Sequence, residues 1–220
     1  MSAAPPRPPV TTAASAAPPR TGWRLYQALR LALRWLRWWV RLEGRGLEAL
    51  PRQGSVLVVS NHDSWLDPLA IAEVMMWRDR QVRFLARASL WRWRIIAPIL
   101  DRIGQIPIRR GAGDAAALDA AVSALGHGET VGIFPEGTYS RGQRLRAHSG
   151  VARLAQACPE VPVVLAAVAG GTALIRFPRR PRVIVEFFLP AAGLDRAEEP
   201  LAELAQRLLD EIRMRVPPTT

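Results

Sequence analysis

The sequence predicts an α/β fold: one domain built on a mixed, mostly parallel sheet flanked by helices, with an N-terminal amphipathic helix before it. Three observations carry that reading. Short apolar runs recur from residue 55 onward, helical patterns lie between them, and turn chemistry such as RRGAGD and GHGET separates the two. Strands alternating with helices form a sheet buried on both faces. At 220 residues there is material for one full domain with a sizeable core.

Residues 1–20, MSAAPPRPPVTTAASAAPPR, are rich in Pro, Ala, Ser and Thr and show no hydrophobic periodicity. Such a segment cannot bury enough surface to offset its ordering entropy, so it reads as a disordered tail. It lacks the continuous apolar core of a secretory signal, so the chain is expected to stay on the cytoplasmic side.

Residues 21–42 read as a basic amphipathic helix. Arg24, Gln27, Arg30, Arg34, Arg37 and Arg41 recur three or four apart and form one narrow polar stripe, while Trp23, Trp35, Trp38 and Trp39 join the apolar remainder. A helix of roughly 20 residues is about 30 Å long, enough to cross a bilayer core. The arginines oppose crossing, since each costs several kcal/mol at the midplane; lying flat lets them meet headgroups while Trp and Leu sink in. The alternative is an ordinary amphipathic helix packed on its own domain.

The domain itself is expected over 43–216. Strands are predicted at 55–60, 82–86, 105–108, 130–134, 161–168 and 182–188, and helices at 68–78, 89–100, 114–126, 149–157 and 199–215. The helix at 89–100, SLWRWRIIAPIL, repeats the mixture of Trp, Arg and aliphatic residues. No uncharged run is long enough for a transmembrane helix.

Composition narrows the function classes. The chain is 49% hydrophobic with a formal net charge of +11, and every basic residue is Arg. Phosphate-bearing partners are implied, either nucleic acid or anionic lipid. The positive charge is regional, concentrated in 20–52 and 78–110, whereas 195–215 is slightly acidic. No nucleic-acid reader motif is present, and arginines alternating with a wide apolar face suit an anionic membrane surface better. Cys158 is the sole cysteine, so neither a disulfide framework nor a Cys-rich zinc site is possible, and the residue reads as a small buried hydrophobe. His127 and His148 lack ligand-like spacing, so no metal centre is expected. Ser64 and Ser140 lie in no G-x-S-x-G elbow, which argues against a serine nucleophile.

Ligands of such sheets bind beyond the carboxyl ends of the strands. Three predicted strands deliver polar residues there: 55–60 exits into Asn61-His62, 105–108 into Arg109-Arg110, and 130–134 into Pro135-Glu136-Gly137-Thr138. In SVLVVSNHDSWLDP, Asp67 precedes Pro68, so a helix begins at one or the other and His62 lies in the preceding turn. The loop can then fold His62 back onto the Asp67 carboxylate, fixing its tautomer and freeing the other ring nitrogen to accept a proton. Taken alone, Asp67 is equally a helix N-cap.

These residues resemble a known family. NHDSWLD resembles the N-H-x4-D motif of glycerolipid acyltransferases of the 1-acylglycerol-3-phosphate O-acyltransferase type; GQIPIRR, FPEGTYS and VPVVLAAV are similar to its second, third and fourth blocks, in the family's order. The resemblance covers residues 45 to about 170 and implies a single glycerolipid-acyltransferase-like domain. It implies that His62 is a general base working with Asp67, and that Asn61, Arg109, Arg110, Glu136, Gly137 and Thr138 serve substrate binding. It also implies an acyl-CoA or acyl carrier protein thioester as co-substrate, a lysophospholipid acceptor, no cofactor, no metal, and peripheral attachment to the cytoplasmic face of a membrane. Tyr139 stands where the family commonly has Arg, Leu165 where the fourth block often has a second Pro, and His148 where Lys is frequent. Arg109, Arg141 or Arg144 could supply the missing charge, or the acceptor is another lysolipid or an acylated amine or alcohol. The reading from another class is a catalytically silent membrane-binding protein on the same fold.

Overall fold

Val56–Ser60 is the central strand of the molecule, and all five of its residues are buried. The computed structural model describes residues 22–32, 40–109, 114–172, 180–194 and 199–216. Seven strands form one sheet: β1 (Arg41–Arg45), β2 (Val56–Ser60), β3 (Val82–Arg87), β4 (Ile106–Ile108), β5 (Thr130–Ile133), β6 (Val163–Ala169) and β7 (Arg182–Phe188), in the order β1-β7-β6-β2-β5-β3-β4. Strands β6, β2, β5, β3 and β4 are mutually parallel. β7 runs antiparallel to β6, and β1 pairs parallel with β7, so the sheet is mixed and mostly parallel, as the sequence predicts.

The helices are α1 (Trp23–Ala32), α2 (Asp67–Met75), α3 (Ala97–Arg102), α4 (Ala115–Gly126), α5 (Gly150–Ala157) and α6 (Leu201–Arg215). Alternation along β2 divides the core. Leu57 and Val59 face a cluster with Ala121 and Leu125 of α4, Leu154 of α5 and Leu208 of α6. Val56 and Val58 face the opposite cluster with Ile71, Val74 and Met75 of α2. This two-faced burial is what a parallel strand requires. Cys158 is buried in the first cluster.

Three elements differ from expectation. The expected helix over 21–42 is helical from Trp23 to Ala32, but Arg41 and Leu42 belong to β1, a strand the apolar-run pattern overlooked. RLEGR carries three polar or charged residues in five and lies at the sheet edge, so it has no apolar signature; Gly44 is needed because a Cβ there would meet Val74 at 2.5 Å. The expected helix at 89–100 is a 3-10 turn over Ala88–Arg92 followed by α3 from Ala97, with Pro98 in the first turn of α3, where proline is tolerated. The expected tail over 1–20 and residues 33–39, with three of the tryptophans, lie outside the described residues. Among the described residues no helix is long and apolar enough to cross a membrane.

Candidate active site

β6, β2 and β5 are adjacent and parallel, so their carboxyl ends share one rim. β2 delivers Asn61 and His62 to it, β5 delivers Pro135-Glu136-Gly137, and β6 delivers Gly170-Gly171. Helix α2 starts at Asp67 with Pro68 in its first turn, as the sequence predicts. The intervening turn folds back, and Nδ1 of His62 lies 3.3 Å from Oδ2 of Asp67. That oxygen also accepts backbone N–H bonds from Asp63 and Ser64, each 2.7 Å. The carboxylate is therefore fixed by its own turn before the imidazole docks on it. Asp67 is 1% exposed, and burial pushes its carboxyl above the ordinary carboxylate range, opposed by the bonds from His62 and from the Ser64 and Asp63 backbone.

The His62 ring stacks on Phe134 with centroids 4.1 Å apart and meets Tyr139 edge-on at 4.6 Å. Phe134 in turn stacks on Phe84, which occupies space left by Gly132, where a Cβ would come within 2.5 Å of the Phe84 ring. With Nδ1 engaged by Asp67, Nε2 is left for the cleft that His62 lines.

That cleft has a volume of about 810 Å³. Its lining includes apolar residues, among them Tyr26 and Leu29 of α1 and Ile99 and Ile103 near α3, and polar or charged ones, among them Arg109, Asp114, Tyr139, His148 and Arg153, with Gly137 beside them in the lining. Gly137 has φ 64°, a left-handed conformation that glycine adopts freely, and a Cβ there would lie 3.0 Å from His148.

The candidate binding residues separate into two groups. Arg109 and Gly137 line the cleft. Asn61 and Glu136 do not; they stand behind it. Asn61 is fully buried, donating to the Val168 carbonyl at 2.9 Å and accepting from the Val168 N–H at 2.8 Å, which staples β2 to β6. Glu136 accepts the backbone N–H of His62 at 2.6 Å. Burial raises its carboxyl, against the lowering effect of Arg213 beside it. Both side chains are buried, and in this structure their contacts support the turn that carries His62. Thr138 is half-buried and outside the cleft lining. Arg110 lies outside the described residues.

Three supporting residues escaped the sequence reading. Asp63, Ser140 and Arg213 form a cluster behind His62, the first two buried and Arg213, arriving from α6, half-buried. One signal existed: Arg213 falls four residues after the buried Leu209, so it sits on the inward stripe of α6, where an arginine requires a partner.

A sequence model of the acyltransferase family matches residues 41–169, from the first residue of β1 to the last of β6. The chain belongs to the acyltransferase family. Among acyltransferases it is 33% identical over 148 residues to the lyso-ornithine lipid O-acyltransferase of Pseudomonas aeruginosa, covering 63% of this chain and 54% of that protein. The chain thus spans about half the length of that relative. A 1-acyl-sn-glycerol-3-phosphate acyltransferase of Bacillus subtilis is 23% identical over 171 residues, 77% of this chain and 83% of that one. The crystal structure of the 1-acyl-sn-glycerophosphate acyltransferase of Thermotoga maritima superposes with a TM-score of 0.61 at 22% identity, over 88% of this chain and 79% of that one, and so shares the acyltransferase fold.

Proposed function

We propose that the protein transfers a fatty acyl group from an acyl thioester, carried on coenzyme A or acyl carrier protein, to the free hydroxyl of a lysophospholipid. The acceptor that best fits this reading is 1-acyl-glycerol-3-phosphate, giving phosphatidic acid. The observation that carries the proposal is the His62–Asp67 pair on the wall of a cleft lined mainly by apolar residues together with Arg109 and Arg153. Nε2 of His62 removes the proton from the acceptor hydroxyl as its oxygen attacks the thioester carbonyl, while Asp67 stabilises the imidazolium. The tetrahedral intermediate collapses with cleavage of the carbon–sulfur bond, and the departing thiolate takes up the proton. Acyl chains lie along the apolar lining, and Arg109, with Arg110 beside it in sequence, attracts the phosphate.

A second acceptor class is supported by particular residues. Tyr139 and His148 line the cleft where arginine and lysine would favour phosphate, and the Pseudomonas relative is named for a lyso-ornithine lipid. Purified protein assayed with a panel of lysolipids and acyl thioesters tests both readings. Turnover of lysophosphatidic acid supports the first, selective turnover of an aminoacyl lysolipid the second, and no turnover of any pair overturns transferase activity.

Both substrates of this reaction are amphiphiles, and the cleft opens beside a surface suited to an anionic bilayer. Leu31 of α1 is 62% exposed, Trp93 66% and Ile95 81%. Gly22, just before α1, packs against the Arg102 carbonyl of α3, where a Cβ would lie only 1.8 Å away. The two apolar elements are therefore neighbours, and Arg92 and Arg94 stand exposed among them.

A further inference from the structure

We propose that Arg213, on the C-terminal helix, is a positioning residue for His62 in the acyl transfer; the inference rests on the base assignment above. His62 has two backbone anchors. Its N–H donates to Oε2 of Glu136 at 2.6 Å, and its carbonyl accepts the N–H of Ser140 at 2.7 Å. Both anchors end on one guanidinium. Nη2 of Arg213 donates to Oε1 of Glu136 and to Oγ of Ser140, the latter at 2.9 Å, and Nη1 donates to Oδ2 of Asp63 at 2.9 Å and pairs with its Oδ1 at 2.8 Å. The Ser140 hydroxyl also donates to Asp63, closing the ring. Arg213 thus binds the residue after His62 and both groups that grip the His62 backbone, yet it is absent from the lining of the cleft.

The arrangement needs a planar fork. The Arg213, Asp63 and Glu136 side chains are 11%, 9% and 0% exposed, so two carboxylates share one nearly dry cation. Without it two buried carboxylates would face each other with no cation between them, and one would turn toward water. That response loosens the turn whose geometry aims Nε2. A lysine carries the charge but reaches fewer acceptors at once and lacks the bidentate plane.

The test uses Arg213→Met and Arg213→Lys in the full chain. Expected is a fall in kcat of about 10²-fold for Arg213→Met, with the KM of both substrates within about twofold of wild type. Arg213→Lys recovers part of that loss. The ring-nitrogen NMR signals of the three histidines give a readout independent of turnover. The His62 signal, assigned by its loss in His62→Gln, shifts in both Arg213 variants, while those of His127 and His148 stay. If wild type turns over no lysolipid, the transferase reading fails, and the His62 signal still tests the positioning role. Wild-type kcat in Arg213→Met, a raised acceptor KM at unchanged kcat, or an unmoved His62 signal would overturn it. Should Arg213→Met fail to fold, Arg213→Lys decides: unchanged kcat and an unchanged His62 signal refute the proposal.

Discussion

The imidazole of His62 meets an Asp67 oxygen that two backbone N–H groups already hold, at 2.7 Å each against 3.3 Å for the histidine contact. The order of these distances matters, because the carboxylate's place is set by the helix start and not by the imidazole. Removing the imidazole should therefore leave the turn standing. His62→Ala is expected to lower acyl transfer by about 10² to 10⁴, the usual worth of a positioned base, with unchanged circular dichroism. Turnover near that of wild type in a linear assay would move the base elsewhere.

Asp67→Asn should separate activity from stability. Burial raises the Asp67 carboxyl, so the folded state holds its proton more tightly than the unfolded chain does. The sign follows: the contribution is full below the ordinary aspartate range and is lost as pH rises through the raised folded value, leaving a cost at neutral pH. The second oxygen, Oδ1, is buried with no hydrogen-bond partner among the described residues, which adds to that cost. Asparagine keeps an acceptor for the Asp63 and Ser64 N–H groups but carries no charge. The variant should lose at least tenfold in kcat, match or exceed wild type in Tm at neutral pH, and show a smaller fall in Tm with rising pH than wild type, the part due to Glu136 remaining. A Tm several degrees below wild type at neutral pH would show that the ionised pair stabilises the fold.

The His62–Asp67 contact was legible in sequence because both residues lie within one turn, where Pro68 fixes the helix start and so the direction of the loop. The parallel core was legible for the same local reason: VLVVS and VVLAAV are continuous apolar runs of the kind that two-sided burial demands. What escaped was either polar or remote. β1 is a charged edge strand, and α6 supplies Arg213 from far along the chain to a cluster that no local spacing predicts. Asn61 and Glu136 carry polar side chains on a functional rim, yet face inward, because strand exits must satisfy their own backbone groups as well as hold substrate.

Gly171 bears on Asp67 from the far side. A Cβ at this position would lie 2.6 Å from Oδ1 of Asp67 and 3.2 Å from the Ser64 Cβ. The Gly171→Ala variant must push the carboxylate or the β6 exit, at a cost of about 1–3 kcal/mol in overpacking. Acyl transfer should fall at least tenfold through kcat, with a lower Tm. An alanine variant with wild-type kcat would mean that the His62–Asp67 geometry tolerates displacement.

The apolar surface beside the cleft makes the membrane reading testable without disturbing the reaction. Deleting residues 1–42 would be a poor probe, since it removes the start of β1. Point changes on the exposed segment avoid that. Trp93→Ser with Ile95→Ser removes apolar groups that are 66% and 81% exposed in the structure and so available for insertion. Each such side chain, fully buried, is worth about 1.5–3 kcal/mol, so even partial insertion predicts at least a tenfold loss in binding to phosphatidylglycerol-containing vesicles. That loss should change little with salt, because the charges remain. Arg92→Gln with Arg94→Gln should instead weaken binding mainly at low ionic strength, where the Debye length exceeds about 10 Å and headgroup attraction is least screened. Vesicle co-sedimentation of both double variants at two salt concentrations separates the terms. Wild-type binding by the Trp93/Ile95 variant at both salts would mean that this face stays in water and that α1 with the residues after it carries whatever attachment there is.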